Sequence, residues 1–332
     1  MACIILTHLG PSIPSYMEEC CKQIRIWNPI ECPVFLIIES QHHLHAPFFL
    51  HLQYTYDIQL IYAESLKPTE QHEAFSRSVT ADTFRNGYWK YVKERFFVIE
   101  ELMRARELRN VISMEYDIMV YGNLRQLLLH KLQTSHQTLR VVKDNPTRGH
   151  PGFMYIPNAD VLAHYNTFLV TIQNLGIDDM QSLELYGNKY PTRLNFLPCI
   201  TKQRNLSITP RVSITKQFSC ENPWYLSQDS EHFGVLFDSA VIGQMVGGVD
   251  PRNTNGKKVS PYPNESALYT LMETQFGWAQ NKDKKWFPVM DGRPVLTIHM
   301  HSKALKPFLS NREDMPRDDY DVTEIMKTLE KN

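Results

Sequence analysis

The sequence predicts an α/β fold, a mostly parallel sheet covered by helices. Three observations predict it: short apolar runs of strand length, helical segments that alternate with them, and a 332-residue chain that is 42% hydrophobic, enough for a large core. Each element of the first third follows from its own residues. Cys3 to His8 is an apolar run and reads as the first strand, and Ser15 to Trp27 follows as a helix. Val34 to Glu39 and Ile58 to Ala63 are the next strands. In the helix expected over Thr83 to Leu108, Phe84, Tyr88, Tyr91, Val92, Phe96, Ile99 and Met103 recur at spacings of three and four, one stripe that turns toward a core. Val111 to Met114 closes the pattern as a fourth strand.

Beyond Tyr121 the texture changes. Gly122-Asn123-Leu124 turns, a leucine-rich helix runs to Leu132, and strands and loops rich in Pro, Asn and aromatic residues continue to Trp286. A charged stretch from Asn311 and a short helix over Val322 to Leu329 form a tail. The organisation expected is a first half over 1–124, a second half over 125–310, and the tail over 311–332.

Charge narrows the choice of partners. With 35 basic and 36 acidic side chains the formal net charge is -1, which argues against nucleic acid as a partner. No run approaches the ~18 apolar residues of a membrane span. The N-terminus lacks the pattern of a signal peptide, and the six cysteines show no C-x-x-C pair, so a soluble protein of a reducing, cytoplasmic compartment is expected. The sequons at Asn205 and Asn264 are then chance matches.

Two constellations carry chemistry. In the first, strand Val111 to Met114 runs into Glu115-Tyr116-Asp117 and then into the apolar Ile118 to Val120. Two carboxylates one residue apart can hold one hard divalent cation and leave positions open for phosphate oxygens. About four acid-x-acid triplets are expected by chance in a chain with this many acids. Asp229-Ser230-Glu231 and Asp319-Tyr320-Asp321 lie in polar surroundings, however, and only Glu115 and Asp117 are framed by apolar runs. In the second constellation, an apolar strand from Pro294 carries His299 and His301 two apart and, because strand side chains alternate, on one face, with Ser302, Lys303 and Lys306 following.

In an open α/β sheet, ligands bind beyond the carboxyl ends of the strands, which singles out Thr7, His8, Glu115 and Tyr116. The chain has neither G-x-G-x-x-G nor G-x-x-x-x-G-K-[ST], so a bound diphosphate would need a metal and side-chain cations. Of Arg77, Arg85 and Arg95, the last lies on the helix that feeds the acidic strand and is the expected nucleotide or sugar contact. Asp238 stands between an apolar strand and a small-residue helix. It reads either as a helix cap or as a general base, with Asp178, Asp179 and Glu265 as weaker candidates for the base. Pro151 to Asn158 reads as a cleft-lining strand or a core strand, and Trp224, Tyr225, Trp278 and Trp286 as sugar platforms or packing.

An alternating N-terminal fold, an acid-x-acid triplet just past residue 110 and a late His-x-His-Ser-Lys with Lys306-Pro307-Phe308 together resemble the GT-A glycosyltransferases of the glycogenin and lipopolysaccharide galactosyltransferase type. The stretch from His232 to Arg252 is similar to one in viral and microbial glycosyltransferase-like proteins. The chain departs from the pattern by Glu115 in place of Asp, by Phe308 in place of Trp, and by the spacing of Lys306 from both histidines. The resemblance implies a Rossmann-like sheet with helices on both faces in one composite domain. It also implies a metal-dependent transfer of a sugar from a nucleoside diphosphate, UDP for preference, to a hydroxyl acceptor such as a glycan. Mn²⁺ or Mg²⁺ would sit on Glu115, Asp117 and one or both of His299 and His301, with Thr7, His8, Arg95, Tyr116, Lys303 and Lys306 on the donor and Asp238 as base. A metal-dependent phosphohydrolase or nucleotidyltransferase, and a non-catalytic sugar-nucleotide-binding module, are the alternatives.

Overall fold

The computed structural model describes residues 3–78, 87–126, 130–132, 137–207, 210–253 and 264–313. Arg85, the first turn expected for the long helix and the helix at Val322 to Leu329 lie outside the described residues. The chain forms two compact units. The first comprises Met1–Tyr116, Asn123–Val142 and Thr147–Phe196, and the second comprises Asp117–Gly122, Lys143–Pro146 and Leu197–Asn332.

The first unit is built on a sheet whose strands are, in chain order, β1 (Cys3–His8), β2 (Val34–Ile38), β3 (Ile58–Tyr62), β4 (Val111–Met114), β6 (Leu139–Asn145), β7 (Arg148–Ile156) and β8 (Leu194–Leu197), with β5 (Ile118–Val120) belonging to the second unit. Their spatial order is β3-β2-β1-β4-β7-β6-β8. β1 to β4 are parallel, with Ile5 flanked by Phe35 and Ser113, while β7 runs antiparallel to β4, pairing Met114 with Phe153. β1 and β2 lie inside the sheet and are almost wholly buried, whereas β3 is an edge strand and is not, with Ile58 buried and Gln59 and Tyr62 exposed.

The long helix spans Tyr88–Ala105 among the described residues, and its buried side chains include Phe96, Phe97, Ile99, Leu102 and Met103. At roughly 1.5–3 kcal/mol for each fully buried large apolar side chain, this stripe fixes the helix to the sheet. Two helices, Ala46–Tyr56 and Glu70–Ser78, stand where the sequence reading placed none. The first buries only Phe49 and Leu52 and so carries no clear 3.6-residue stripe. Pro151 to Ile156 is part of β7 in the middle of the sheet, so it is a core strand.

In the second unit, β11 (Leu236–Phe237), β12 (Phe276–Gln280), β13 (Trp286–Met290) and β14 (Arg293–His299) form a sheet in the order β11-β14-β13-β12, while β9 (Arg211–Val212) and β10 (Ser219–Cys220) make a small ribbon. β5 pairs antiparallel with β14, setting Ile118 opposite His299 and Val120 opposite Thr297. Arg211 is 1% exposed and anchors this unit through Asn205, the carbonyls of Arg204 and Leu268, and Glu273. The side-chain amides of Asn205 and Asn264 are buried and bonded inside the unit, to Pro223 and Asp144 among others. All six cysteines are free thiols, and no helix among the described residues is long and apolar enough to cross a membrane.

Candidate metal and nucleotide site

The register of β5 on β14 decides which side chains meet. Because Ile118 lies opposite His299, the residue before β5 and the last residue of β14 are neighbours, and the Met300 N–H donates to the Asp117 carbonyl at 2.8 Å. Asp117 is 4% exposed. Its Oδ2 accepts from the Lys303 ammonium and lies 3.2 Å from His299 Nε2, while its Oδ1 is buried with no hydrogen-bond partner among the described residues. Burial alone would raise the Asp117 pKa, but Lys303 and His299 override it and hold the group ionised far below the usual carboxylate range. Lys303 occupies the left-handed backbone region with φ 65°, uncommon outside glycine.

His299 itself is set by Asp238. That carboxylate is 3% exposed; Oδ1 accepts from Ile242 N at 2.8 Å, and Oδ2 accepts from Gly243 N at 2.9 Å and from His299 N at 3.0 Å. Burial raises the Asp238 pKa against these three donors. It thus ties the first turn of the helix Val241–Gly247 to the end of β14. The formal N-cap is Ala240, yet the orphan N–H groups of that turn are satisfied by Asp238. Gly243 is demanded by the same contact, since a Cβ there would stand 1.8 Å from the His299 carbonyl oxygen.

His301 is held differently. β14 ends at His299, and His301 lies just beyond it with its ring centroid 6.3 Å from that of His299 and its Nδ1 accepting from the Asp250 N–H at 3.0 Å. That bond leaves the proton on Nε2, and burial, helped by Lys303 and His299, pushes its pKa down to about 4. Among the described residues of the second unit, Asp117 and His299 bring together a carboxylate and an imidazole that could hold a metal ion, and His301 is not grouped with them. Lys306 is exposed at the start of the turn Lys306–Phe308.

In the first unit, Arg95 is buried and its guanidinium is committed to two carboxylates, Glu115 and, at 2.6 Å, Asp179. Burial opposes the charge on Arg95, but the two acids raise its pKa and keep it cationic. Asp179 is pushed up to about 6 by burial, with Arg95 opposing. Its role as Arg95's partner escaped the sequence reading because 84 positions separate the two. Asp178 caps the helix Asp179–Lys189 in a capping box with Gln181, and Glu265 is exposed. Arg77 is exposed and pairs with Glu73.

At the carboxyl end of β1, Thr7 Oγ1 and His8 Nε2 are buried without hydrogen-bond partners among the described residues. His8 Nδ1 lies 3.0 Å from the Tyr116 hydroxyl, and burial together with His42 pushes its pKa down to about 4. Tyr116 meets the Tyr16 ring at 5.7 Å, and His8 meets His42 at 5.1 Å. Neither Tyr16 nor His42 carries a sequence signal that would have marked it. Of the tryptophans, Trp278 stacks on Phe308 and meets Tyr121 edge-on in the second unit, while Trp224 is 52% exposed.

No family model and no curated protein matches the chain. Among solved structures it is similar to mouse xyloside xylosyltransferase 1, with 11% identity over 59% of this chain and 84% of that one at a TM-score of 0.42. It is also similar to the glycosyltransferase GlyE of Streptococcus pneumoniae, with 14% identity over 59% of this chain and 46% of that one at 0.40. An active-site mutant of LgtC aligns at 9% identity over 61% of this chain and 76% of that one, with a TM-score of 0.41.

Proposed function

We propose that the protein is a metal-dependent glycosyltransferase that moves a sugar from a nucleoside diphosphate donor, UDP-linked for preference, to a hydroxyl of a glycan acceptor. The observation that carries the reading is the Asp117 carboxylate, buried and ionised, with Oδ1 unsatisfied beside an imidazole and an ammonium. An unsatisfied buried carboxylate oxygen is costly, and a coordinated cation removes that cost.

Asp117 and His299 would supply a carboxylate and an imidazole, and Glu115, two residues before Asp117 in the chain, is the further carboxylate of a set suited to Mn²⁺ or Mg²⁺. When bound, the ion would neutralise diphosphate charge and ease departure of the nucleotide. The chain's own residues do the rest. His299 would have to present an unprotonated Nε2 to serve as a ligand. Lys303, which shares Asp117 Oδ2, would then be free to face a phosphate oxygen, with Lys306 as a second cation. His301 Nε2–H offers a neutral donor, and Asp238 holds the backbone of His299 in place. Thr7, His8 and Tyr116 stand at the carboxyl ends of the adjacent strands β1 and β4, where an α/β sheet takes a nucleoside, and Arg95 orients Glu115.

The test is transfer from a panel of nucleoside diphosphate sugars in the presence of Mn²⁺, comparing native protein with Asp117→Ala. Transfer should fall at least a hundredfold in the variant while its circular dichroism stays native. Full transfer by metal-stripped Asp117→Ala protein would remove the reading, and release of free phosphate in place of glycoside would assign a phosphohydrolase.

A further inference from the structure

The second unit holds a basin of about 480 Å³ whose lining includes Gln203, Arg204, Glu231, Gln275, Asp291 and Arg293 together with the hydroxyls of Thr201 and Ser207. It lies at the Arg293 end of β14, whereas the cation ligand His299 is at the other. Six steps of roughly 3.3 Å separate these ends by about 20 Å, so the basin is distinct from the site described above.

Every lining side chain is polar, and the two cations are already neutralised in fixed geometry. Arg204 meets Asp291 side-on with Nε at 2.9 Å and Nη2 at 2.8 Å, and Arg293 Nη2 meets Glu231 at 2.6 Å. Asp291 is in turn pinned by the Gln275 N–H at 2.9 Å. Among the described residues, Nη1 of Arg204, Nε and Nη1 of Arg293, and the side-chain amides of Gln203 and Gln275 make no hydrogen bond, so donors and acceptors remain on two ion-paired arginines and two exposed amides. An anion finds no net positive charge there, and an apolar ligand finds no apolar wall. A neutral ring bearing several hydroxyls, each able to donate and accept, matches this set.

We infer that this basin is a second saccharide subsite, taking a neutral sugar unit of the acceptor remote from the unit that reacts. Its place in catalysis rests on the transferase reading; its binding chemistry does not. The acceptor is then an oligosaccharide, since a single sugar cannot reach both ends of β14.

The test is calorimetric titration of maltotetraose, cellotetraose and chitotetraose into the full chain without metal or nucleotide, with inorganic phosphate as the anionic control. At least one tetrasaccharide should bind, at least tenfold more weakly to Arg293→Ala and to Gln275→Ala, and equally well to Asp117→Asn. Thermal unfolding of the two basin variants should stay close to native, because both positions are partly exposed. Where transfer is measurable, the same variants should raise the acceptor KM at unchanged kcat. Absence of binding by all three sugars, binding indifferent to both variants, or a preference for phosphate would overturn the inference. Saccharide binding without any transfer would keep the subsite and remove only the transferase reading.

Discussion

Replacing Asp238 by Asn separates an anchoring carboxylate from a general base. The carboxylate accepts three backbone N–H bonds at 2.8, 2.9 and 3.0 Å, two of them on Oδ2. An Asn in its better orientation keeps the two bonds of Oδ2 and sets its amide N–H₂ against the Ile242 N–H. One bond is lost with its buried donor left unsatisfied, about 1–3 kcal/mol, and the two that remain lose their charge assistance, about 1 kcal/mol each. Relief from burying a charge offsets part of this, so the net destabilisation expected is about 2–4 kcal/mol. Urea unfolding of native and variant protein measures it, with Mn²⁺ affinity followed in parallel. Both should fall, because His299 loses a fixed backbone. A variant within about 0.5 kcal/mol of native stability, with native Mn²⁺ affinity and abolished transfer, would refute the anchoring argument and restore Asp238 as a base.

Gly243→Ala forces a methyl carbon to within 1.8 Å of the His299 carbonyl, so the helix Val241–Gly247 must part from β14; a loss of about 2–4 kcal/mol in urea unfolding is expected, against the gain that Ala ordinarily brings to a helix. In Mn²⁺ titrations followed by paramagnetic resonance, His299→Ala should weaken binding at least tenfold, about 1.4 kcal/mol, while His301→Ala stays within about twofold. His72 is half-buried between Glu101, at 2.8 Å, and Glu94, at 3.3 Å. Burial would lower its pKa, but the two carboxylates lift it to about 9. Since the folded value exceeds the unfolded one of about 6.5, the stabilisation is complete below pH ~6.5 and is lost as pH rises through ~9. The stability difference between native protein and His72→Gln, on the order of 2–3 kcal/mol at pH 6, should therefore vanish by pH 10 in urea midpoints.

The parallel core of the first unit was legible because its strands are short apolar runs and its main helix carries a regular stripe, both of which are local properties. The helix Ala46–Tyr56 was not, since its burial of only Phe49 and Leu52 is a tertiary outcome that no periodicity announces. At the site, Asp117 and His299 were each legible as candidates from their flanking residues, but their meeting depends on the register between β5 and β14, a pairing 182 positions apart in the chain for these two side chains. The same holds for Arg95, which the sequence offered to a ligand and the fold commits to Glu115 and Asp179. His301 lies just past the end of β14 with its ring 6.3 Å from that of His299, and the bond its Nδ1 accepts from the Asp250 N–H is one that no local pattern announces. Asp238 was readable as a helix-start acid, whereas its third bond, to His299, comes from the sheet.

The most direct test is a thermal-shift titration of UDP, GDP, CMP and TDP with and without Mn²⁺, because a ligand of the native state raises stability by mass action. The account predicts that one nucleoside diphosphate raises the melting temperature only when Mn²⁺ is present, and that Asp117→Asn abolishes the rise. A nucleotide shift of equal size without metal, or no shift for any nucleotide with it, would contradict the account.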